Sequence, residues 1–264
     1  MQDDYDGAHI PREGSPFRSR KNAGGNLMEL SKSALFFSLT FLLLACAATI
    51  LAQWQTKSYH DWTEQETAKV LNHSPWGQTQ SVTDTSKMFG ALRSSTGPTG
   101  EHELPKTDFH IRFFSARPIR QAISRSMELK KKGALSNELA AQLKALAEAD
   151  FPDYVIITVV TEFTESGTQM GSAGALLDRQ ITLKLKNDTY LSVKGGKRVF
   201  LQEYQPPRKD GLGARFIFPR VVDGKSFITP DSGEILFYSQ LSDGPALSMR
   251  FKVKDMMFAD KLEY

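Results

Sequence analysis

Residues 154–161, YVIITVVT, are apolar or β-branched at nearly every position. A strand with one solvent-facing side alternates apolar and polar residues, whereas this run offers apolar side chains to both faces. The pattern predicts a strand that is covered on both sides. We therefore take it as the centre of the fold and follow the chain outward from it.

A strand and two helices precede the central strand. Residues 109–116, FHIRFFSA, read as a strand, and Pro118 then occupies a position typical of the first turn of a helix. Gly133 is placed to end this helix, and Ser136 to cap a second one. The apolar residues at helical spacing are Ile119, Ala122, Ile123 and Met127 in the first helix and Leu139, Leu143 and Leu146 in the second. The sequence thus predicts a strand–helix–helix–strand unit.

The last third of the chain alternates as antiparallel strands do when one side is buried and the other faces solvent. Ile181, Leu183 and Leu185 alternate with Thr182, Lys184 and Lys186, and Met249, Phe251 and Val253 alternate with Arg250, Lys252 and Lys254. Turns such as Gly195-Gly196, Asp223-Gly224 and Asp243-Gly244 permit the positive φ angles of tight hairpins. We predict an α+β fold, with an antiparallel β-rich, sandwich-like domain over residues 108–264.

Residues 53–107 predict a short helix, a strand and a linker. Asp61-Trp62-Thr63-Glu64 has the pattern of a capping box, and Ser74-Pro75-Trp76 ends the helix because a proline disfavours helical backbone at the residue before it. Residues 78–85 read as a strand. Residues 92–107 contain two glycines, two prolines and two serines and read as a linker or a long surface loop.

A single apolar segment, residues 34–52, precedes all of these elements. It reads ALFFSLTFLLLACAATILA, begins at Ala34, ends at Ala52 and carries no charge. A helix needs about 20 apolar residues to span a bilayer, so a signal anchor is the first interpretation. Residues 1–33 are polar, without hydrophobic period, and predicted to be disordered. Among their positive charges, Arg18, Arg20, Lys21 and Lys32 lie nearest to the segment and favour a cytoplasmic position for residues 1–33.

Two other interpretations of residues 34–52 stay open. If the chain starts at Met28, the segment is a signal peptide that is cleaved near Ala52. Alternatively, Leu43-Leu44-Ala45-Cys46 resembles a lipobox, which would make Cys46 a site of lipidation, although an apolar rather than a polar stretch follows it. All three interpretations place the folded part outside the cytoplasm, on the cytoplasmic membrane or, after cleavage, secreted or periplasmic.

Charge and cysteine content narrow the class of protein. The chain has 264 residues and a net charge of +3, which is too small to imply nucleic-acid binding. Cys46 is the single cysteine, so the folded part forms no internal disulfide. Exported eukaryotic domains of this size usually contain disulfides, and their absence favours export in a bacterium.

Several short motifs resemble a group of uncharacterised exported bacterial proteins. They are Trp62-Thr63-Glu64, Lys69-Val70-Leu71 and Ser74-Pro75-Trp76 near the start, SARPIRQA at residues 115–122, and FIFPR, FKVKDMM and KLEY at residues 216–220, 251–257 and 261–264. The resemblance covers most of residues 60–264. It implies export and a shared fold, and it implies no activity.

The sequence offers little support for catalysis. All five histidines precede residue 111, and no G-x-S-x-G motif is present. There is no P-loop or G-x-G-x-x-G, and the histidines and carboxylates match no metal-binding spacing, so we expect no cofactor and no metal. The alternative function is a hydrolase outside the cytoplasm that uses carboxylates such as Asp108, Asp150 or Asp153.

Basic residues on the solvent-facing sides of the predicted strands suggest a binding function instead. If the two alternating segments are neighbours, Lys184, Lys186, Arg250, Lys252 and Lys254 form a positive stripe that could bind anionic lipid or envelope polymers. A face that only keeps the protein soluble is the other interpretation. Lys194 and Lys197 flank a hairpin turn that could also hold an anion. We expect a non-catalytic binding or assembly domain of the bacterial cell envelope, held at the membrane by residues 34–52, with an unknown protein partner.

Overall fold

The computed structural model describes residues 53–83, 106–131, 135–163 and 172–264. The predictions for residues 1–33, for the apolar segment from Ala34 to Ala52, for Cys46 and for most of the linker at 92–107 lie outside these ranges. Within the ranges, no helix is both long and apolar enough to cross a membrane.

The described residues form five α-helices and thirteen strands. The helices are α1 (Glu64–Asn72), α2 (Arg117–Lys130), α3 (Asn137–Glu148), α4 (Ser172–Asp178) and α5 (Thr182–Leu185). The strands are β1 (Gly77–Thr83), β2 (Lys106–Phe113), β3 (Tyr154–Phe163), β4 (Thr189–Val193), β5 (Arg198–Phe200), β6 (Glu203–Gln205), β7 (Ala214–Pro219), β8 (Val221–Val222), β9 (Lys225–Ser226), β10 (Glu234–Gln240), β11 (Ala246–Lys252), β12 (Met257–Phe258) and β13 (Lys261–Leu262).

The predicted central strand lies in the middle of a five-stranded sheet, which we call sheet A. Its strand order is β1-β2-β3-β7-β6, and every pair is antiparallel. Residues 155–159 of β3 are all buried. Ile157 pairs with Phe113 on one side and with Phe216 on the other, so these three side chains form one row of the core.

A second sheet of four strands, sheet B, faces sheet A across the core. Its order is β11-β10-β4-β5, again antiparallel throughout. The rings of Phe113 in sheet A and Phe251 in sheet B meet edge to face at 4.8 Å, and Phe216 and Phe237 meet at 5.4 Å. Two antiparallel sheets with interlocking aromatic side chains make a sandwich. The α+β, β-rich fold class is thereby confirmed.

The strand–helix–helix–strand unit is confirmed as β2-α2-α3-β3. Pro118 lies in the first turn of α2, and the Ser136 hydroxyl caps α3 by accepting a hydrogen bond from the Leu139 N–H. Leu143 is buried where α3 packs on α2. There the Ser124 hydroxyl donates to the Leu143 carbonyl oxygen at 2.9 Å. The predicted helix end at Gly133 lies outside the described residues.

Residues 53–83 are part of the same folded body. β1 pairs with β2 along its whole length, so the sequence-based boundary at Asp108 falls inside a strand of sheet A. The cap of α1 is Thr63, two residues later than predicted. Its hydroxyl accepts from the Glu66 N–H while the Glu66 carboxylate accepts from the Thr63 N–H.

The predicted strand at residues 181–186 is wrong, because residues 182–185 form the short helix α5. Of the three apolar residues in the alternation, Leu185 alone is buried, whereas Ile181 is 50% and Leu183 82% exposed. A strand with one buried face would have placed all three on that face. The turn predictions fare better, since Gly195, Asp223 and Asp243 all have positive φ angles.

Candidate functional site

The outer face of sheet B carries a cluster of charged residues. In β10, Ile235 and Phe237 point into the core, so Glu234 and Leu236 point to solvent. The cross-strand partner of Leu236 on β11 is Arg250, and that of Glu234 is Lys252. Pairing therefore places Arg250 and Lys252 on the solvent side of the sheet.

These strands enclose a concavity of about 500 Å³, which we call the basic recess. Four cations line it, Lys194, Arg250, Lys252 and Lys254, together with one carboxylate, Glu234. Four positive charges and one negative charge leave a net charge of +3 on its walls. A recess with that excess of one sign attracts anions.

Glu234 neutralises this charge only weakly. Its carboxylate lies 3.7 Å from the Arg250 guanidinium, and both side chains are largely exposed, so the pair contributes little. Within the described ranges, Lys194, Lys252 and Lys254 form no ion pair at 4.0 Å or less. Their ammonium groups are thus open to a ligand.

The side chain of Lys194 lies close to Gly233. Gly233 has φ of +71°, and a Cβ added there would lie 3.2 Å from Cδ of Lys194 and 3.4 Å from its Cβ. Glycine adopts this left-handed backbone conformation without strain, and its lack of a side chain leaves room for the lysine stem. A backbone hydrogen bond also holds the two segments together, since the Lys194 N–H donates to the Ser232 carbonyl oxygen at 3.3 Å.

The five-residue stripe predicted from the sequence is brought together only in part. Arg250, Lys252 and Lys254 share the basic recess, with Lys254 in a 3-10 turn just after β11. Lys184 lies on α5 and Lys186 directly after it, and the neighbour of β11 in sheet B is β10. The condition for the stripe, two neighbouring strands, is therefore not met. Lys194 joins the cluster through the β4–β5 hairpin instead.

A second polar arrangement lies on the outer face of sheet A. His110 is buried between two partners, with Nδ1 2.9 Å from the Thr79 hydroxyl and Nε2 3.0 Å from the Glu162 carboxylate. As a neutral imidazole it accepts from Thr79 and donates to Glu162. Burial lowers the pKa of His110, an effect that the hydrogen bond to Glu162 opposes.

Arg112, two residues after His110 in β2, connects this strand to the end of α1. Its guanidinium donates to the Leu71 carbonyl oxygen at 3.1 Å and to Oδ1 of Asn72 at 2.7 Å. Burial lowers the pKa of Arg112 to about 10, so it stays charged at neutral pH. These bonds hold the end of α1 against β2. The hydrogen-bonded group of Thr79, His110 and Glu162 lines neither the basic recess nor the concavity around Lys197 and Lys225. We assign this group a structural role.

The structure separates Asp108 from the other two carboxylates named for a hydrolase, Asp150 and Asp153. The Ser81 hydroxyl donates to Asp108 at 2.5 Å, and Asp108 pairs with Glu162 near the end of β3. Asp150 and Asp153 precede Tyr154, where β3 begins. At about 3.4 Å per residue, the eight steps from Tyr154 to Glu162 span roughly 27 Å. A pair of catalytic carboxylates lies much closer together, at about 5–10 Å.

The described residues contain no group of three or more histidine, cysteine, aspartate or glutamate side chains that could hold a metal ion. Comparisons with protein families, with curated proteins and with solved structures found no match. The resemblance to exported bacterial proteins stays a prediction.

Proposed function

We propose that this protein is a non-catalytic binding protein of the bacterial cell envelope, whose β-sandwich holds an anionic ligand in the basic recess. The observation that carries the proposal is the convergence of Lys194, Arg250, Lys252 and Lys254 around one concavity with Glu234 as the single opposing charge. Electrostatic attraction draws anions to such a surface. Binding of this kind weakens as salt rises, because counter-ions screen exposed charges.

The shape of the recess favours the anionic groups of an envelope polymer over the surface of a bilayer. The cations come from three places, the β4–β5 hairpin, β11 and the turn after β11, and they surround a hollow. Headgroups in a bilayer form a nearly flat layer, which meets a flat or protruding basic surface more fully than a hollow one. A single anionic group of a polymer can enter the hollow and meet several ammonium groups at once.

The placement in the envelope rests on the sequence. The uncharged segment from Ala34 to Ala52, with five basic residues before it, supports a signal anchor and a folded part beyond the cytoplasmic membrane. Cleavage near Ala52 or lipidation at Cys46 would lead to the same side of the membrane. A reporter that is active only in the cytosol, fused to the carboxyl end, should give no signal in intact cells, and a clear signal would contradict the placement.

The binding proposal is tested with the full-length chain in nonionic detergent. Tripolyphosphate, titrated by calorimetry, should bind, and its affinity should fall as salt is raised. The variant Lys252→Glu/Lys254→Glu should lose at least tenfold in affinity. The matched control is Lys184→Glu/Lys186→Glu, which makes the same change of charge outside the recess and should bind within twofold of wild type. Equal losses in both variants, or no binding by wild type, would contradict the proposal.

A further inference from the structure

A second concavity adjoins the basic recess. It has a volume of about 780 Å³ and is lined by Lys197, Arg198 and Lys225, with Asp223 and Asp231 as the carboxylates. Val193 and Lys194 line both concavities. Lys194 therefore lies at the boundary between them.

We infer that the two concavities form one track, which binds a single linear polymer bearing phosphate groups. This inference rests on the proposed function and adds the class of ligand and its length. We call the second concavity the outer recess, and the two recesses together the phosphate track.

Charge is the first argument for a continuous track. The basic recess contributes four cations and one carboxylate, and the outer recess adds three cations and two carboxylates. Seven positive and three negative charges leave a net charge of +4, distributed over both concavities. A single small anion would use only part of this charge, whereas a chain with an anion at each repeat would use all of it.

Linkage is the second argument. When one anionic group of a chain occupies the basic recess, its neighbours are held close to the outer recess at a high effective concentration. Linking two binding events in this way raises the overall affinity by roughly 10²-fold or more, provided that the chain can reach both sites. Because the two concavities share Lys194, a continuous chain needs no long spacer between them.

The cations that line the track are of a kind that binds phosphate groups. Five of the seven cations are lysines, whose ammonium group binds phosphate as a point charge. The planar fork of arginine, which binds carboxylate and phosphate alike in a bidentate manner, supplies only two of the seven cations. Both arginines of the track are partly engaged already, since the Arg198 guanidinium lies 4.3 Å from the centre of the Tyr190 ring and Arg250 faces Glu234.

The inference is tested with a series of ligands of increasing length. Orthophosphate, tripolyphosphate and long-chain polyphosphate are titrated into the full-length chain in nonionic detergent. The dissociation constant per chain should fall by roughly 10²-fold from tripolyphosphate to long-chain polyphosphate, because the long chain reaches both recesses.

A long chain also binds more tightly simply because it offers more binding positions. Variants of the outer recess separate that effect from the gain in affinity that comes from contact with this recess. Lys197→Glu/Lys225→Glu should remove most of the gain for the long chain while tripolyphosphate binding changes little. Lys184→Glu/Lys186→Glu, with the same change of charge, should keep the gain. If Lys197→Glu/Lys225→Glu bound the long chain as tightly as wild type, the track would be overturned and the basic recess would stand.

Two other outcomes are decisive. If wild type bound neither tripolyphosphate nor the long chain, the proposed function itself would fall. If polygalacturonate of similar length bound as tightly as long-chain polyphosphate, the assignment to phosphate would be wrong.

Discussion

The indole N–H of Trp76 donates a hydrogen bond of 2.8 Å to the carbonyl oxygen of Glu263, 187 residues further along the chain. Trp76 is fully buried and meets the rings of Trp54 and Phe258 edge to face. The start and the end of the described fold are thus joined through one side chain. Two neighbouring contacts strengthen this junction, since the Arg117 N–H donates to the Glu263 carboxylate and the Tyr264 hydroxyl donates to the Ile228 carbonyl oxygen.

Replacing Trp76 should therefore destabilise the whole domain. Trp76→Phe removes the N–H donor, leaves the Glu263 carbonyl oxygen without it, and opens a small cavity. We expect the free energy of unfolding to fall by about 2–3 kcal/mol, measured by urea denaturation. Phe200→Leu, a change at an exposed aromatic residue, serves as control and should cost about 0.5 kcal/mol or less. A Trp76→Phe protein as stable as wild type would show that the junction contributes nothing.

The buried Arg120 should be needed as an arginine. Its guanidinium donates to the carbonyl oxygens of Phe114, Ser115 and Ala149 and so joins α2 to the ends of β2 and α3. Burial lowers the pKa of Arg120 to about 10, which keeps it charged at neutral pH. Arg120→Met should lower the free energy of unfolding by about 2–4 kcal/mol, because three carbonyl groups lose their donor.

Two further variants give the Arg120 prediction its controls. Arg120→Lys keeps the charge but not the fork of donors, so it should still lose more than half of that stability. Arg117→Met, at an exposed position of the same helix, should change the free energy of unfolding by about 0.5 kcal/mol or less. Similar losses in Arg117→Met and Arg120→Met would contradict the assignment.

The edge of sheet B depends on Gln80. Its side chain accepts from the Ser248 N–H at 2.7 Å and donates to the Ala246 carbonyl oxygen at 2.9 Å, as a neighbouring strand would. Gln80→Glu keeps the acceptor and loses the donor, and it should cost about 1–2 kcal/mol in urea denaturation. Gln142→Glu, on the exposed side of α3, should have little effect.

Exposed strand edges also promote association, so light scattering of Gln80→Glu should rise with concentration.

Stability should fall on mild acidification because of His110. Burial holds the pKa of His110 below its usual value, so the folded state keeps this imidazole neutral where the unfolded state binds a proton. The resulting stability is present above about pH 6.5 and is lost as the pH falls below that value toward the pKa in the folded state. Urea denaturation at several pH values should show this decline in wild type.

In the variant His110→Gln, the free energy of unfolding should fall less as the pH is lowered, because the group that titrates is removed. His60→Gln changes an exposed histidine and should keep the wild-type profile. The same pH dependence in His110→Gln as in wild type would assign the decline to other groups. Protonation of the carboxylates at lower pH is excluded by restricting the comparison to about pH 5.5–7.5.

Local patterns were enough to predict the main elements of the fold. The continuous apolar run in β3 predicts a strand covered on both sides, and Ser136 predicts the start of α3, because both signals depend on neighbouring residues alone. The alternation at 181–186 failed for a physical reason. Five or six residues cannot separate a strand period from one helical turn when Ile181 and Leu183 do not belong to the core.

Local sequence patterns predicted only part of the candidate site. Arg250, Lys252 and Lys254 follow one another in an alternating strand, and their common side is readable. Their meeting with Lys194 depends on the pairing of β4 with β10 and on the close approach of Gly233, which no local pattern encodes. The contact of His110 with Glu162, 52 residues away, is also a product of strand pairing.

Lysine footprinting tests the central claim most directly. The full-length chain is acetylated briefly with and without long-chain polyphosphate, and the modification of each lysine is measured by mass spectrometry. The account predicts protection of Lys194, Lys252 and Lys254, with unchanged modification of Lys184 and Lys186. Protection of Lys184 and Lys186 with full modification of the recess lysines would contradict it.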